Sequence, residues 1–145
     1  MSTETVLDAL QDVLADEHAA LYTYGVLGAR TSQSATPALY DVLTVAYRRH
    51  RARRDRLRLL VADEGGEPVA ADPAYAVPGP AQGVEQVQAV AREVEARSTE
   101  ALAALVARSA GDVRSWALDE AVWSATWQVE LGGEPATWPG APELG

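Results

Sequence analysis

The chain has 145 residues, a formal net charge of −9, 48 % hydrophobic residues and no cysteine. This length predicts one domain with a sizeable core, spanning residues 1–145. Without cysteine the chain has no disulfide, thiolate metal site or cysteine nucleophile. The acidic charge predicts no nucleic-acid partner and no membrane partner.

No stretch of the sequence approaches the ~20 consecutive apolar residues that span a bilayer. The first twelve residues, MSTETVLDALQD, are acidic and lack the basic segment that opens a signal peptide. We therefore expect a cytoplasmic protein.

The first half of the chain predicts two helices joined by a tight turn. Apolar residues recur at helical spacing over about residues 3–29, and Thr3 or Thr5 is the expected cap. A polar turn follows, and Pro37 suits the first turn of a second helix over about residues 37–63. Gly65 and Gly66 end that helix.

The second half predicts two more helices, over about residues 84–109 and 113–131, with an irregular tail at 132–145. The connection at 65–82 is rich in proline and glycine. At ~3.3 Å per residue it reaches up to ~55 Å, further than a 26-residue helix of ~39 Å. No segment alternates with period two, so we predict an all-α, ferritin-like four-helix bundle connected as hairpin, long crossover and hairpin.

Each predicted helix carries one polar residue on or beside its apolar stripe. At about 100° per residue, Glu17, His50 and Glu120 lie at the centres of their stripes, whereas Glu95 lies at an edge. Arg54 lies about 40° from His50 and shares its face. These five residues form the predicted inward polar cluster.

Two interpretations of this cluster differ in chemistry. In the first, Glu17, His50, Glu95 and Glu120 bind a metal, since carboxylate and imidazole ligands suit iron, manganese or zinc. In the second, the same residues form a buried ion network in which Arg54 pairs with Glu17 or a neighbouring glutamate. Because a guanidinium repels a metal cation, Arg54 favours the second interpretation. We therefore favour no metal and no cofactor, with iron or manganese as the alternative.

Several motifs resemble those of a bacterial ferritin-like family of unknown function, over nearly the whole chain. They are EHAALYTYG at 17–25, HRARRDRL at 50–57, Pro73-Ala74-Tyr75 and Trp138-Pro139-Gly140. The resemblance implies a ferritin-like fold and no particular activity.

The di-iron members of the wider ferritin-like superfamily carry Glu, Glu-x-x-His, Glu and Glu-x-x-His on successive helices. The corresponding positions here are Glu17, Tyr47-x-x-His50, Glu95 and Glu120-x-x-Trp123. The second motif has lost its carboxylate and the fourth its histidine. The resemblance therefore implies a degenerate di-metal site, with ligands for one metal at most.

Three further groups have simpler expected roles. Seven of the twelve arginines lie between positions 48 and 58, which we interpret as a solvated helix face rather than a polyanion site. His18 is expected at the surface or an interface. The shared face of Trp116, Trp123 and Trp127 is expected in the core, with an aromatic pocket or dimer seam as the alternative.

From these observations we predict a non-catalytic binding or structural module that forms a homodimer. The alternative is a metal-binding oxidoreductase or ferritin-like iron protein that uses a single inward site. The sequence indicates no catalytic residue and no particular small-molecule ligand.

Overall fold

The computed structural model describes residues 5–144, which form four α-helices and no strand. The all-α prediction is confirmed. No helix in the described range is long and apolar enough to cross a membrane. The elements are α1 (Val6–Ala29), α2 (Pro37–Asp63), α3 (Val84–Arg108), α4 (Gly111–Glu130) and a short 3₁₀ turn (Pro142–Leu144).

The helix ends follow local sequence signals. Thr5 caps α1: its hydroxyl accepts from the Asp8 N–H at 3.2 Å, and the Asp8 carboxylate accepts from the Thr5 N–H at 2.9 Å. The alternative cap Thr3, and the predicted start there, lie outside the described residues. Pro37 opens α2, and Gly65 follows that helix with a φ of +80° that favours glycine. Helix α4 begins at Gly111, two residues before the predicted start.

The long connection between α2 and α3 runs along α1. The Gln11 side-chain oxygen accepts from the Val69 N–H at 2.9 Å, and His18 Nε2 lies 2.9 Å from the Val69 carbonyl oxygen. Further along, the Tyr22 and Tyr75 rings lie 5.8 Å apart. These contacts advance along α1, so the connection crosses the length of the bundle. Helices α1 and α4 therefore run in one direction and α2 and α3 in the other.

The core consists of two apolar clusters stacked along the bundle. One lies near the α1–α2 turn and includes Leu27, Leu39 and Val87, with Trp123 and Trp127 packed against it. The other lies near the α3–α4 turn and includes residues of all four helices, with Trp116 packed against it; its members include Leu10, Leu57, Leu102 and Ala117. The polar residues at the middle of the helices lie between these clusters.

Which face of α2 points into the core can be tested with two leucines that lie two positions apart. Leu57 is fully buried, whereas Leu59 is 61 % exposed. We predict that Leu57→Ala lowers the free energy of unfolding by about 2–5 kcal/mol. The control Leu59→Ala should change it by less than about 0.5 kcal/mol. Urea unfolding followed by circular dichroism measures both, and equal losses would contradict this orientation of α2.

Candidate functional site

His50 is the centre of the polar layer and joins three helices. The layer consists of Glu17, Arg49, His50, Arg53, Glu95 and Glu120. His50 Nδ1 lies 2.5 Å from Glu17 Oε2 on α1, and its Nε2 lies 2.8 Å from Glu95 Oε1 on α3. All three side chains are fully buried. The Tyr24 hydroxyl donates to Glu95 Oε1 at 2.6 Å. Both imidazole nitrogens are therefore occupied by carboxylates, which is the arrangement of a doubly protonated ring.

A guanidinium continues the layer toward α4. Arg53 Nη1 lies 3.4 Å from Glu17 Oε1, its Nε donates to Glu120 Oε2 at 2.5 Å, and its Nη2 donates to the Glu120 carbonyl oxygen at 2.9 Å. Arg49 completes the group from the rim of the bundle, with bonds of 2.9 and 2.8 Å to the two Glu120 carboxylate oxygens. Arg53, at 1 % exposed, thus links the carboxylates of α1 and α4.

Two tryptophans cover the cationic side of the layer. The Arg49 and Arg53 guanidinium carbons lie 5.2 and 5.3 Å from the centre of the Trp123 ring. Trp123 in turn stacks on Trp127 at 4.7 Å. Cations over a tryptophan face are attracted by its quadrupole. The aromatic face therefore supports the arginines and packs against the apolar core.

The charges of the layer shift its pKa values in opposite directions. Burial by itself lowers the pKa of His50, but the Glu17 and Glu95 carboxylates outweigh burial and raise that pKa to about 10. Burial raises the pKa of Glu95, yet His50 and Tyr24 hold it below its usual value. Glu120 also has a lowered pKa, because Arg49 and Arg53 overcome its burial. Three carboxylates thus face three cations.

Asp16 lies beside this layer on α1. Its carboxylate accepts from the Ser98 hydroxyl at 3.0 Å. Burial and the adjacent negative charge of Glu17 raise its pKa to about 6, against the lowering effect of Ser98 and His50. Neither Asp16 nor Ser98 carries a sequence signal, since each looks like an ordinary surface residue of an amphipathic helix.

The expectation that Arg54 faces inward is wrong. Its guanidinium instead bonds Asp55 Oδ1 at 2.9 and 2.7 Å, and its side chain is 29 % exposed. The apolar stripe expected from the sequence omitted Leu60, which is buried; it consisted of Leu39, Leu43, Ala46, Tyr47, Leu57 and Val61. With Leu60 included, the buried positions of α2 centre about 20° from His50 on the Arg53 side. Arg53 thus takes the inward place expected of Arg54.

The structure brings the other four predicted residues together. Glu17, His50, Glu95 and Glu120 are each less than 10 % exposed, and the expected contact between Glu17 and His50 is present. Glu95 was expected at the edge of its stripe but is fully buried. The reason is that the buried face of α3 extends past Glu95 to Thr99, about 40° further around the helix, a small polar residue that an apolar count omits. His18 contacts the crossover connection and takes no part in the layer.

This fold, with two antiparallel hairpins, a long crossover and a polar layer at mid-helix, defines an all-α protein of the ferritin-like class. Two solved structures are similar to it. A ferritin-like, diiron-carboxylate protein from Bacillus anthracis str. Ames matches with a TM-score of 0.78 and 17 % identity, over 91 % of this chain and 97 % of its own. The conserved hypothetical protein rv2844 from Mycobacterium tuberculosis matches with a TM-score of 0.83 and 25 % identity, over 91 % of this chain and 98 % of its own. The predicted fold is confirmed.

The family model described as a domain of unknown function, DUF4439, matches residues 9–143. The chain therefore belongs to the DUF4439 family, as the sequence resemblance to a ferritin-like family of unknown function suggested. No curated protein matches the sequence.

The donor set does not fit the di-metal centre of the ferritin-like superfamily. Of the six oxygens of Glu17, Glu95 and Glu120, five accept hydrogen bonds from cations or Tyr24. Glu95 Oε2 is the sixth, buried and without a hydrogen bond in the described chain. Within residues 5–144, no group of three or more His, Cys, Asp or Glu side chains is arranged so that it could hold a metal ion. An imidazole and two guanidinium groups occupy the space between the carboxylates.

The contribution of this layer to stability can be measured with adjacent arginines. We predict that Arg53→Ala lowers the free energy of unfolding by about 3–5 kcal/mol, because Glu17 and Glu120 lose a buried partner. The matched control Arg54→Ala should cost less than about 1 kcal/mol, since its partner Asp55 is exposed. Urea melts at neutral pH compare the two, and a larger loss for Arg54→Ala would contradict the assignment.

The raised pKa of His50 predicts a pH dependence. Because the folded-state pKa of about 10 exceeds the ordinary 6.5, the stabilisation is complete below pH 6.5 and disappears as the pH rises toward 10. The raised pKa of Asp16 affects stability at lower pH, between the ordinary value of 3.8 and the raised value of about 6, and so does not overlap with the effect of His50. We therefore expect the free energy of unfolding to fall by up to about 1.4 kcal/mol per pH unit above pH 7.

The two histidines of the chain provide the control for this measurement. His18→Gln should retain the wild-type slope, whereas His50→Gln should flatten it. In parallel, NMR of ring nitrogens in His18→Gln should show His50 doubly protonated well above pH 7. A neutral His50 ring at pH 7 would contradict the prediction even if His50→Gln is too unstable to study.

Proposed function

We propose that this chain is a non-catalytic, ferritin-like binding or structural module in which protein cations take the place of a metal centre. The observation that carries the proposal is the pairing of His50 and Arg53 with the carboxylates of three helices. These cations neutralise the carboxylates from within the chain. The layer then contributes stability and helix register rather than chemistry.

The burial of the layer supports a non-catalytic role. Glu17, His50 and Glu95 are fully buried, so a substrate cannot reach them without opening the bundle. A general acid or base must lie within hydrogen-bond reach of the proton that it transfers. The partners of these groups are instead other side chains of the same layer.

The charge balance also argues against the alternative of a metal-dependent oxidoreductase. A metal at this position would have to displace His50 or Arg53 from carboxylates 2.5–3.4 Å away. It would also lie beside a guanidinium that cannot be deprotonated. Among the six carboxylate oxygens of the layer, only Glu95 Oε2 has no hydrogen bond within residues 5–144, so a metal would meet a single unoccupied donor atom.

Metal analysis tests this function directly. Protein purified without chelator should contain iron, manganese and zinc far below one ion per chain. Added Fe²⁺ should oxidise at the rate measured in buffer alone. One tightly bound metal ion per chain that is lost in Glu17→Gln would refute the proposal and support the oxidoreductase alternative.

A second measurement tests whether the cations exclude metal. Arg53→Met leaves the carboxylates of Glu17 and Glu120 without their shared guanidinium, and we predict Mn²⁺ or Zn²⁺ affinity at least tenfold above wild type by calorimetry. Arg54→Met is the control and should bind as wild type does. Since the loss of Arg53 is expected to destabilise the fold, Arg49→Met, at the rim, provides a milder second variant. Unchanged affinity in both would show that the cations do not exclude metal.

A further inference from the structure

Helix α4 carries an apolar stripe on a face about 120° around the helix from its buried side. Leu118, Val122, Ala125 and Val129 follow one another at spacings of four, three and four residues, which places them along one face of the helix. Leu118, Val122 and Val129 are 52 %, 58 % and 42 % exposed. The same spacing forms the seam of paired helices in coiled coils. The stripe is thus an unpartnered helix-packing surface.

The stripe forms one wall of an open cleft of about 510 Å³. Small residues of α3 and the tail form much of the remainder, including Ala103, Ala136 and Pro139. The tail is held there by close packing, since a Cβ on Gly140 would lie 2.9 Å from the Thr99 carbonyl oxygen. A prominent ridge beside a cleft lined by small side chains is a self-complementary shape.

We propose that this face binds a second copy of the chain, with the two α4 helices packed antiparallel about a two-fold axis. The axis passes between Val122 and Ala125. Leu118 then lies opposite Val129 of the partner subunit, and Val122 lies opposite Ala125 of the partner subunit. In each pair the larger side chain, Leu118 or Val122, faces a smaller one, and the two-fold axis repeats both pairs.

The charges beside the stripe select the antiparallel direction. In this register, Arg114 lies level with a point just beyond the end of α4 of the partner subunit, and the nearest acidic residue on that helix is Glu130 of the partner subunit. Asp119 lies level with the uncharged Gln128 of the partner subunit. A parallel pair would instead place Asp119 and Glu130 level with their own copies, which is unfavourable for like charges. Antiparallel helix dipoles favour the same direction.

The oligomeric state tests the proposed surface. Sedimentation velocity and light scattering, from low micromolar to hundreds of micromolar protein, should show a dimer for the wild type. Val122→Glu places a charge in the seam and should weaken dimerisation at least tenfold. Leu59→Glu is the matched control, because Leu59 is 61 % exposed on α2, and it should remain dimeric. A monomeric wild type, or a Val122→Glu variant that dimerises normally, would overturn the proposal.

Cysteine cross-linking tests the direction, and the native chain contributes no cysteine. In the proposed register, two copies of Leu118→Cys lie about 16 Å apart, too far for a disulfide. The double variant Leu118→Cys with Val129→Cys should cross-link on oxidation. Disulfide formation by Leu118→Cys alone would indicate parallel helices and overturn this geometry.

A charge exchange gives an independent readout. Arg114→Glu and Glu130→Arg should each weaken the dimer, and their combination should restore it. These experiments do not depend on the metal content of the bundle, so their failure is distinguishable from failure of the proposed function. Additive losses without restoration in the double variant would contradict the proposed register.

Discussion

The pairing of buried carboxylates with His50 and Arg53 is the interaction on which the middle of this bundle depends. Glu17, Glu95 and Glu120 come from three helices and lie between two apolar clusters. An unpaired charge at such a position costs several kcal/mol. The layer is tolerated because each carboxylate has a cation within hydrogen-bond distance. Removing one member leaves the others uncompensated.

This layer also explains how the bundle is closed. The close backbone contacts join α1 with α2, α1 with α3 and α3 with α4. Helices α2 and α4 instead meet through long side chains, since Arg49 and Arg53 reach Glu120 beneath the ring of Trp123. The polar layer therefore bridges the fourth side of the bundle. A metal centre would have to be built in the space that these side chains fill.

The two positions that depart from the di-iron pattern have acquired different environments. Tyr47 is 40 % exposed on the outside of α2. Trp123 is partly buried and covers the arginines. Helix α4 thus has two tasks in the proposed functions: its inner face holds Glu120 and Trp123, and its outer face carries the apolar stripe. The two faces use separate residues, so each can be altered without changing the other.

The sequence by itself determined the helices and their connectivity. Periodicity, Pro37, the glycine pair after α2 and the long proline-rich connection are local signals, and the geometry of a helix translates them directly into structure. The same arithmetic located Glu17, His50 and Glu120 on inward faces. Local rules suffice for these features because they depend on residues close in the chain.

Only the tertiary structure decided which charges meet. Arg53 and Arg54 are neighbours in the sequence, and a small rotation of α2, fixed by the burial of Leu60, brings Arg53 to Glu120 and leaves Arg54 with Asp55. Glu95 is likewise fully buried because the inner face of α3 extends past it to Thr99, whose hydroxyl accepts from Gln128 of α4. Such pairings depend on the relative rotation of packed helices, which the pattern within any one helix does not specify.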